Sequence, residues 1–230
     1  MDEPLSVELK ISIPRPVPTS IVQFARFWRT TNPQLTTSSR HMYGEPTAFT
    51  LFKIWNAIQR VVVLVDTDVL LDWGMGAGKA LISKRFLSGR PNIAAIGMEM
   101  DSAVYEIAKR NMWRADLTNT RSFHRESSTV TSAEWESFGA SIVIQYDGGT
   151  SPDIEEYHEC IMNALVSSRC VKCIFSTKMN AALFVYYFGP EVRRDWTLYR
   201  LPHLSFGGSH FMGNLWVRKA GRPTGVDGPA

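Results

Sequence analysis

The octapeptide Leu71-Asp72-Trp73-Gly74-Met75-Gly76-Ala77-Gly78 puts a carboxylate ahead of three alternating glycines, between an apolar run and a helical pattern. Bare backbone at such a turn lets a ligand approach without meeting side chains. The start of the following helix offers N–H groups to an anion. Two phosphate-binding patterns compete for the turn, and both fail. A P-loop needs a four-residue spacer and then Gly-Lys-Ser/Thr; here three residues separate Gly74 from Gly78, and Lys79 is followed by Ala80. A dinucleotide turn needs glycine or alanine three positions after its second glycine, and that position is Lys79.

The pattern suits a ligand without phosphate that carries an ammonium, a carboxylate and a sulfonium. Asp72 can face the ammonium, and the helix start favours the carboxylate. About 20 residues beyond the turn, Glu99 ends the next strand, where an acidic side chain accepts hydrogen bonds from ribose hydroxyls. Carboxylates at two neighbouring strand ends, with Gly74, Gly76 and Gly78 between them, point to S-adenosylmethionine. The product would be S-adenosylhomocysteine, and the chemistry methyl transfer.

The elements that position these residues follow from periodicity. Residues 69–72 read as a buried strand and 79–87 as a helix, so the glycine turn is a strand-to-helix junction. The alternation continues with a strand over 93–99, a helix over 103–114, a short strand over 121–124 and a helical turn near 132–138. A strand over 141–146, a helix over 154–167 and a strand over 171–176 follow. Such alternation builds a mostly parallel sheet with helices on both faces. Segments 196–201 and 211–217 read as strands joined by a Gly207-Gly208 loop, which makes them antiparallel neighbours. Five parallel strands and then such a pair is the order of the α/β, Rossmann-like, seven-stranded class I methyltransferase sheet.

Ahead of that core (63–220), residues 1–18 carry four prolines and read as an extended, loosely attached segment. Residues 19–62 form an N-terminal helical segment. Its first helix is capped by Thr19 or Ser20 and ended by Asn32-Pro33, and its second starts near Ala48. The run 61–65 fits either the end of that second helix or an extra extended segment. Residues 221–230, rich in Gly and Pro, read as a disordered tail.

Composition sets wide bounds. The 230 residues suit one domain with a real core, and 44% hydrophobic with 20% charged residues is ordinary for a globular protein. No apolar run reaches the ~20 residues of a membrane span, so no membrane partner is expected, and residues 1–10 lack the layout of a secretory signal. Three cysteines argue against a disulfide framework and for a reducing, intracellular compartment. Twenty-five basic against 22 acidic residues leave a charge of only +3. That allows a weak DNA contact through surface arginines but is no signature of a dedicated nucleic-acid binder. Cys170-x-x-Cys173 lacks a second ligand pair, so zinc is not expected. His203 and His210 read as ordinary loop or core residues, and the aromatic run 184–188 as core packing.

Beyond these local signals the chain resembles a known family, the disruptor-of-telomeric-silencing (DOT-one type, non-SET) histone lysine methyltransferases, over residues 43–219. Tyr43-Gly44-Glu45 matches the start of the family's Tyr-Gly-Glu-Thr. Asp72 to Gly78 matches its glycine turn, Gly97-Met98-Glu99 its Gly-Val-Glu, and Ser176-Thr177-Lys178 its Ser-Ser-Lys. The resemblance implies a loop bearing Tyr43, Gly44 and Glu45 folded over the cofactor, and an acidic residue after the third strand on the adenine amine, here Glu126 with Ser127 beside it. It further implies a lysine in the folded core of a nucleosomal histone as acceptor, and a nuclear protein. The length suits a compact, protist-like member. Departures fall on the acceptor side. The family's Asn-Asn-Phe is Tyr146-Asp147-Gly148, its channel tryptophan aligns with Phe206, and later tyrosines are Gly213 and Asn214.

Tyr146, Asp147 and Phe206 are therefore the residues expected to line the acceptor site, with Asp147 as its polar group. An attacking lysine must be neutral, and an apolar channel disfavours the ammonium by desolvation. Two rivals stay open. One is a small-molecule or RNA methyltransferase of the same fold, although no Asn/Asp-Pro-Pro-aromatic motif for exocyclic base amines follows the fourth strand. The other is a non-catalytic cofactor-binding scaffold.

Overall fold

The computed structural model describes residues 6–31, 46–125, 129–145, 168–177, 189–190, 194–206 and 209–219. Among them run β1 (Val7–Glu8), α1 (Thr19–Thr31), α2 (Ala48–Val61), β2 (Val69–Asp72), α3 (Lys79–Leu87), β3 (Ala94–Glu99) and α4 (Ser102–Arg114). Then follow β4 (Thr120–His124), α5 (Ser132–Ser137), β5 (Ile142–Gln145), β6 (Cys173–Ser176), β7 (Trp196–Phe206) and β8 (Ser209–Arg218). The expected helix over 154–167, the aromatic run 184–188 and the tail 221–230 lie outside the described residues.

The strands form one sheet in the order β1-β7-β8-β6-β5-β2-β3-β4. β6, β5, β2, β3 and β4 are parallel, and β8 runs antiparallel to both β6 and β7. The chain enters the parallel part in the middle, at β2. It steps outward through β3 and β4, then restarts on the other side with β5. The crevice between β2 and β5 is thus a topological switch point, the place where open α/β sheets bind ligands beyond their strand ends.

Side chains alternate across the sheet with period two. Leu70, Ala95, Ile142 and Ile144 join the core formed with α1, α2, α3 and α4. Leu71, Ile96, Val143 and Ile174 join the other, rich in tryptophan, with Trp73, Trp135, Trp196 and Trp216. In the first core the buried Trp55 indole N–H of α2 donates to Ser83 Oγ of α3 (2.8 Å), which donates on to the Ala80 carbonyl (2.6 Å). Below the sheet, buried Asp68 binds three elements at once. It accepts from the Val65 N–H (2.8 Å) and the Ser141 hydroxyl (2.8 Å), and it pairs with Lys172 (2.7 Å). Burial pushes the Asp68 carboxyl up, but Lys172, Val65 and Ser141 together outweigh it and hold the group below its usual range.

The expected seven strands are present, and β1 adds an eighth at the edge. Among the described residues of the segment expected to be loosely attached, Val7 and Glu8 are held, pairing in parallel with Tyr199 and Arg200. The Leu9 N–H adds a bond to the Arg200 carbonyl (2.8 Å), and Ile11 is buried. The reason is edge satisfaction: β7 would otherwise present unpaired backbone groups along its outer side. β7 also runs five residues further than expected, through a bulge at Pro202-His203, where His203 takes a φ of 57°. Proline donates nothing to a ladder, which is why the sequence pattern breaks there. The 61–65 ambiguity resolves as a helix end and an extended connector, with Val62 and Leu64 buried and Val63 and Val65 exposed. Thr19 and Ser20 lie inside α1, whose start uses the Pro18 carbonyl as acceptor for Ile21 and Val22 instead of a side-chain cap.

Candidate functional site

The glycine turn sits at the switch point and is fastened to β3 and α4. The Met75 N–H donates to the Met98 carbonyl (2.9 Å), and the Gly76 N–H donates to Glu99 Oε2 (3.0 Å). From α4, the buried Asn111 amide donates to the Ala77 carbonyl (3.2 Å). Gly76 and Gly78 have φ of 52° and 83°, a region that side-chain-bearing residues rarely adopt. Gly74 serves differently: a Cβ there would meet nothing within 4 Å, so the turn is open on that side. Gly97 on β3 is the close approach, since a Cβ would fall 2.3 Å from Met75 Sδ and 2.5 Å from a Leu81 methyl.

Asp72 ends β2 with 1% of its surface exposed and accepts a long hydrogen bond from the Gly74 N–H (3.4 Å). Burial raises its pKa to about 7. The Gly74 N–H pulls it down and the negative charge of Glu99 pushes it further up. A buried carboxylate so weakly compensated is suited to a cation beside it, and an ammonium would remove the cause of the shift. Glu99 accepts from the Gly76 N–H and from the Asp101 N–H (2.9 Å). Burial raises its pKa too, opposed by those donors and the Met100 N–H. A carboxylate has about four acceptor positions, so beside these three donors capacity remains for a ribose hydroxyl.

The first turn of α3 holds no acidic side chain, which leaves its positive dipole end for a carboxylate. Lys79, at the same end, sits over the Trp28 ring of α1 (4.8 Å). These residues fit the ammonium, carboxylate and ribose of S-adenosylmethionine. Thus Asp72, Gly74, Gly76, Gly78 and Glu99 come together as the sequence implied.

The other expected site residues stand apart from this description. Tyr43, Gly44, Glu45, Glu126, Ser127, Tyr146 and Asp147 lie outside the described residues, and of Phe206 only the backbone is described. Their flanks are nonetheless fixed. The Thr47 N–H donates to the Ser205 carbonyl (3.3 Å), and the Thr50 hydroxyl binds the same carbonyl (2.8 Å). The chain just after Glu45 is thereby held beside the residue preceding Phe206. The Arg125 N–H donates to the Glu99 carbonyl (3.0 Å), so the residue preceding Glu126 is held beside Glu99. The Arg125 guanidinium donates to Thr129 Oγ1 (2.8 Å) and pairs with Glu134 (2.7 Å), lowering the Glu134 carboxyl to about 2.

Sequence reasoning overlooked two supports and a ledge. Asn111 was detectable as a polar residue on the buried face of α4, beside Ala108 and Met112. Gly97 stood inside a matched motif, but its packing role is a three-dimensional fact. The ledge is formed by Gln145, Ser176 and Asn214, all buried and in register at the ends of β5 and β6 and on β8. By the period-two alternation these side chains share the face of Val143, Ile174 and Trp216. Among the described residues no group of His, Cys, Asp and Glu is arranged to hold a metal, and Cys170 and Cys173 are free thiols.

No family model matches the chain, and no curated protein matches it by sequence. Solved structures do match its fold. A human methyltransferase 10 domain containing protein superposes with a TM-score of 0.59 at 12% identity, covering 86% of this chain and 96% of that one. An rRNA methylase from Streptococcus thermophilus gives 0.52 at 11% identity, over 76% and 96%. The Podospora anserina methyltransferase PaMTH1, with S-adenosylhomocysteine bound, gives 0.52 at 9% identity, over 88% and 89%. The chain shares the fold of these methyltransferase structures.

Proposed function

We propose that this chain is an S-adenosylmethionine-dependent methyltransferase whose acceptor is RNA. The observation that carries the enzymatic part is the pair of carboxylates at neighbouring strand tips, Asp72 buried and Glu99 half-buried, with an open glycine turn between them. Bound there, S-adenosylmethionine supplies an electrophilic methyl group for in-line displacement. The chain's own task is to fix geometry. Asp72 holds the ammonium, Glu99 the ribose and the start of α3 the carboxylate. Tyr146, Asp147 and Phe206 remain the proposed acceptor-side residues, following β5 and ending β7. The loop of Tyr43, Gly44 and Glu45 is proposed to cover the cofactor, and Glu126 with Ser127 to meet the adenine.

One observation favours RNA. One structural neighbour is an rRNA methylase. The absence of an Asn/Asp-Pro-Pro-aromatic run at Tyr146-Asp147-Gly148 directs the chemistry away from exocyclic base amines. A histone lysine is the second reading, favoured by Tyr43-Gly44-Glu45 and its resemblance to the non-SET histone methyltransferases.

Calorimetric titration with S-adenosylhomocysteine tests the cofactor site. Asp72→Ala and Glu99→Ala should each weaken binding at least about tenfold, and tight binding by both variants would refute the assignment. Radiolabelled cofactor offered to RNA, nucleosomes, free histones and a metabolite extract tests the acceptor. Label in RNA supports the first reading, and label confined to nucleosomal histone replaces it with the second. Asp147→Asn should lower turnover far more than cofactor affinity, and unchanged turnover would remove Asp147 from the mechanism.

A further inference from the structure

The chain has seven tryptophans, and six of them, at positions 28, 55, 73, 135, 196 and 216, are no more than 7% exposed. Trp113 is 82% exposed. It sits in the last turn of α4, one turn beyond Lys109 and Arg110 and next to Arg114, on the outer helix face. Residues three and four apart on a helix are surface neighbours, so the indole is flanked by the cations of Lys109 and Arg110. Lys109 is engaged by Glu106 (3.2 Å), whereas the side chains of Arg110, Trp113 and Arg114 make no hydrogen bond or ion pair among the described residues.

An indole left in water beside uncommitted guanidinium groups costs solvation that six sibling residues avoid, and packing of the fold does not require it. We infer that the outer face of α4 is a docking surface for single-stranded nucleic acid, with Trp113 stacking on a base and Arg110 and Arg114 on the flanking phosphates. The chemistry favours this occupant on two counts. A base offers a flat π-face to an indole while its phosphates answer the arginines, and a duplex would hide that face. α4 is also capped by Asp101, whose N–H donates to Glu99. Trp113 lies 12 residues further, about 18 Å along the helix axis, so a strand laid along α4 leads to the cofactor site. The surface deepens the RNA reading but does not depend on catalysis.

Fluorescence anisotropy with a fluorescein-labelled 12-nucleotide oligoadenylate RNA, on the full chain, tests it. Trp113→Ala should weaken binding by roughly 5- to 150-fold, and Trp113→Phe should retain most of the affinity. Arg110→Ala with Arg114→Ala should lower the slope of log affinity against log salt by about 1.4. These positions are exposed, so thermal unfolding of the variants should match the parent. The inference is overturned if all variants bind the RNA like the parent, or if the parent binds a polyglutamate peptide and not the RNA. Titration of the parent with S-adenosylhomocysteine reports on the cofactor site alone, so failure of the methyltransferase reading and failure of this surface are separately visible.

Discussion

Replacing Asp72 by asparagine should stabilise the folded chain in alkaline solution while destroying its grip on the cofactor. The carboxyl is 1% exposed, and burial lifts its pKa from 3.8 to about 7. The folded state therefore keeps a proton that the unfolded chain has already lost between about pH 4 and pH 7, so stability falls as pH rises through that window. By pH 8 the full penalty of a shift of about three units is present, up to roughly 4 kcal/mol. Asparagine never ionises and keeps the oxygen that accepts from Gly74. At about 2–4 °C per kcal/mol for a chain of this size, the variant should melt up to roughly 16 °C above the parent at pH 8, and close to it at pH 4. Thermal unfolding across pH 4 to 8 gives the test. A gap between variant and parent that does not widen with pH would refute the reasoning. The binding arm has the opposite sign. Only the carboxylate attracts the ammonium, so the parent should bind S-adenosylmethionine about eightfold more weakly at pH 6 than at pH 7.5 and release a proton on binding at pH 6. Calorimetry in two buffers of different ionisation enthalpy reads that proton directly.

Other substitutions probe the supports. Asp68→Ala breaks the contacts to Val65, Ser141 and Lys172 and should cost about 2–4 kcal/mol by denaturant unfolding at pH 7. Since the folded Asp68 carboxyl lies below 3.8, the stability it confers is present above that pH and lost as the solution is acidified through its lower folded value. Gly97→Ala forces Met75 or Leu81 to move and should cost about 1–3 kcal/mol, with weaker cofactor binding because Met75 belongs to the turn. Asn111→Ala frees the Ala77 carbonyl and should weaken cofactor binding roughly five- to tenfold, measured by titration against the parent.

The glycine turn was legible because its information is local. Aspartate, three glycines and an acidic residue about 20 positions on lie within one strand-helix-strand unit, and the structure joins them through the Gly76 N–H bond to Glu99. The antiparallel pair β7 and β8 was legible from Gly207-Gly208, since a connection that short admits no crossover. β1 escaped notice for the converse reason. Its two residues show no alternation and lie in a proline-rich stretch, and they become a strand only because β7 offers an unpaired edge about 190 residues away. The exposure of Trp113 is likewise invisible in sequence, where a tryptophan on a helix reads as core. The ledge of Gln145, Ser176 and Asn214 exists only once β5, β6 and β8 are in register.

The bond from Gly76 to Glu99 makes the two anchors one mechanical object. Removing the Glu99 carboxylate takes away its ligand contact and also unlatches the loop whose geometry sets where Asp72 points. Losses from the two single substitutions should therefore overlap, so a double-mutant cycle on cofactor affinity should return a total smaller than the sum of its parts. Evolution along this site is constrained to match: either acid is hard to relinquish while the other is kept, because a half-built clasp holds little more than none.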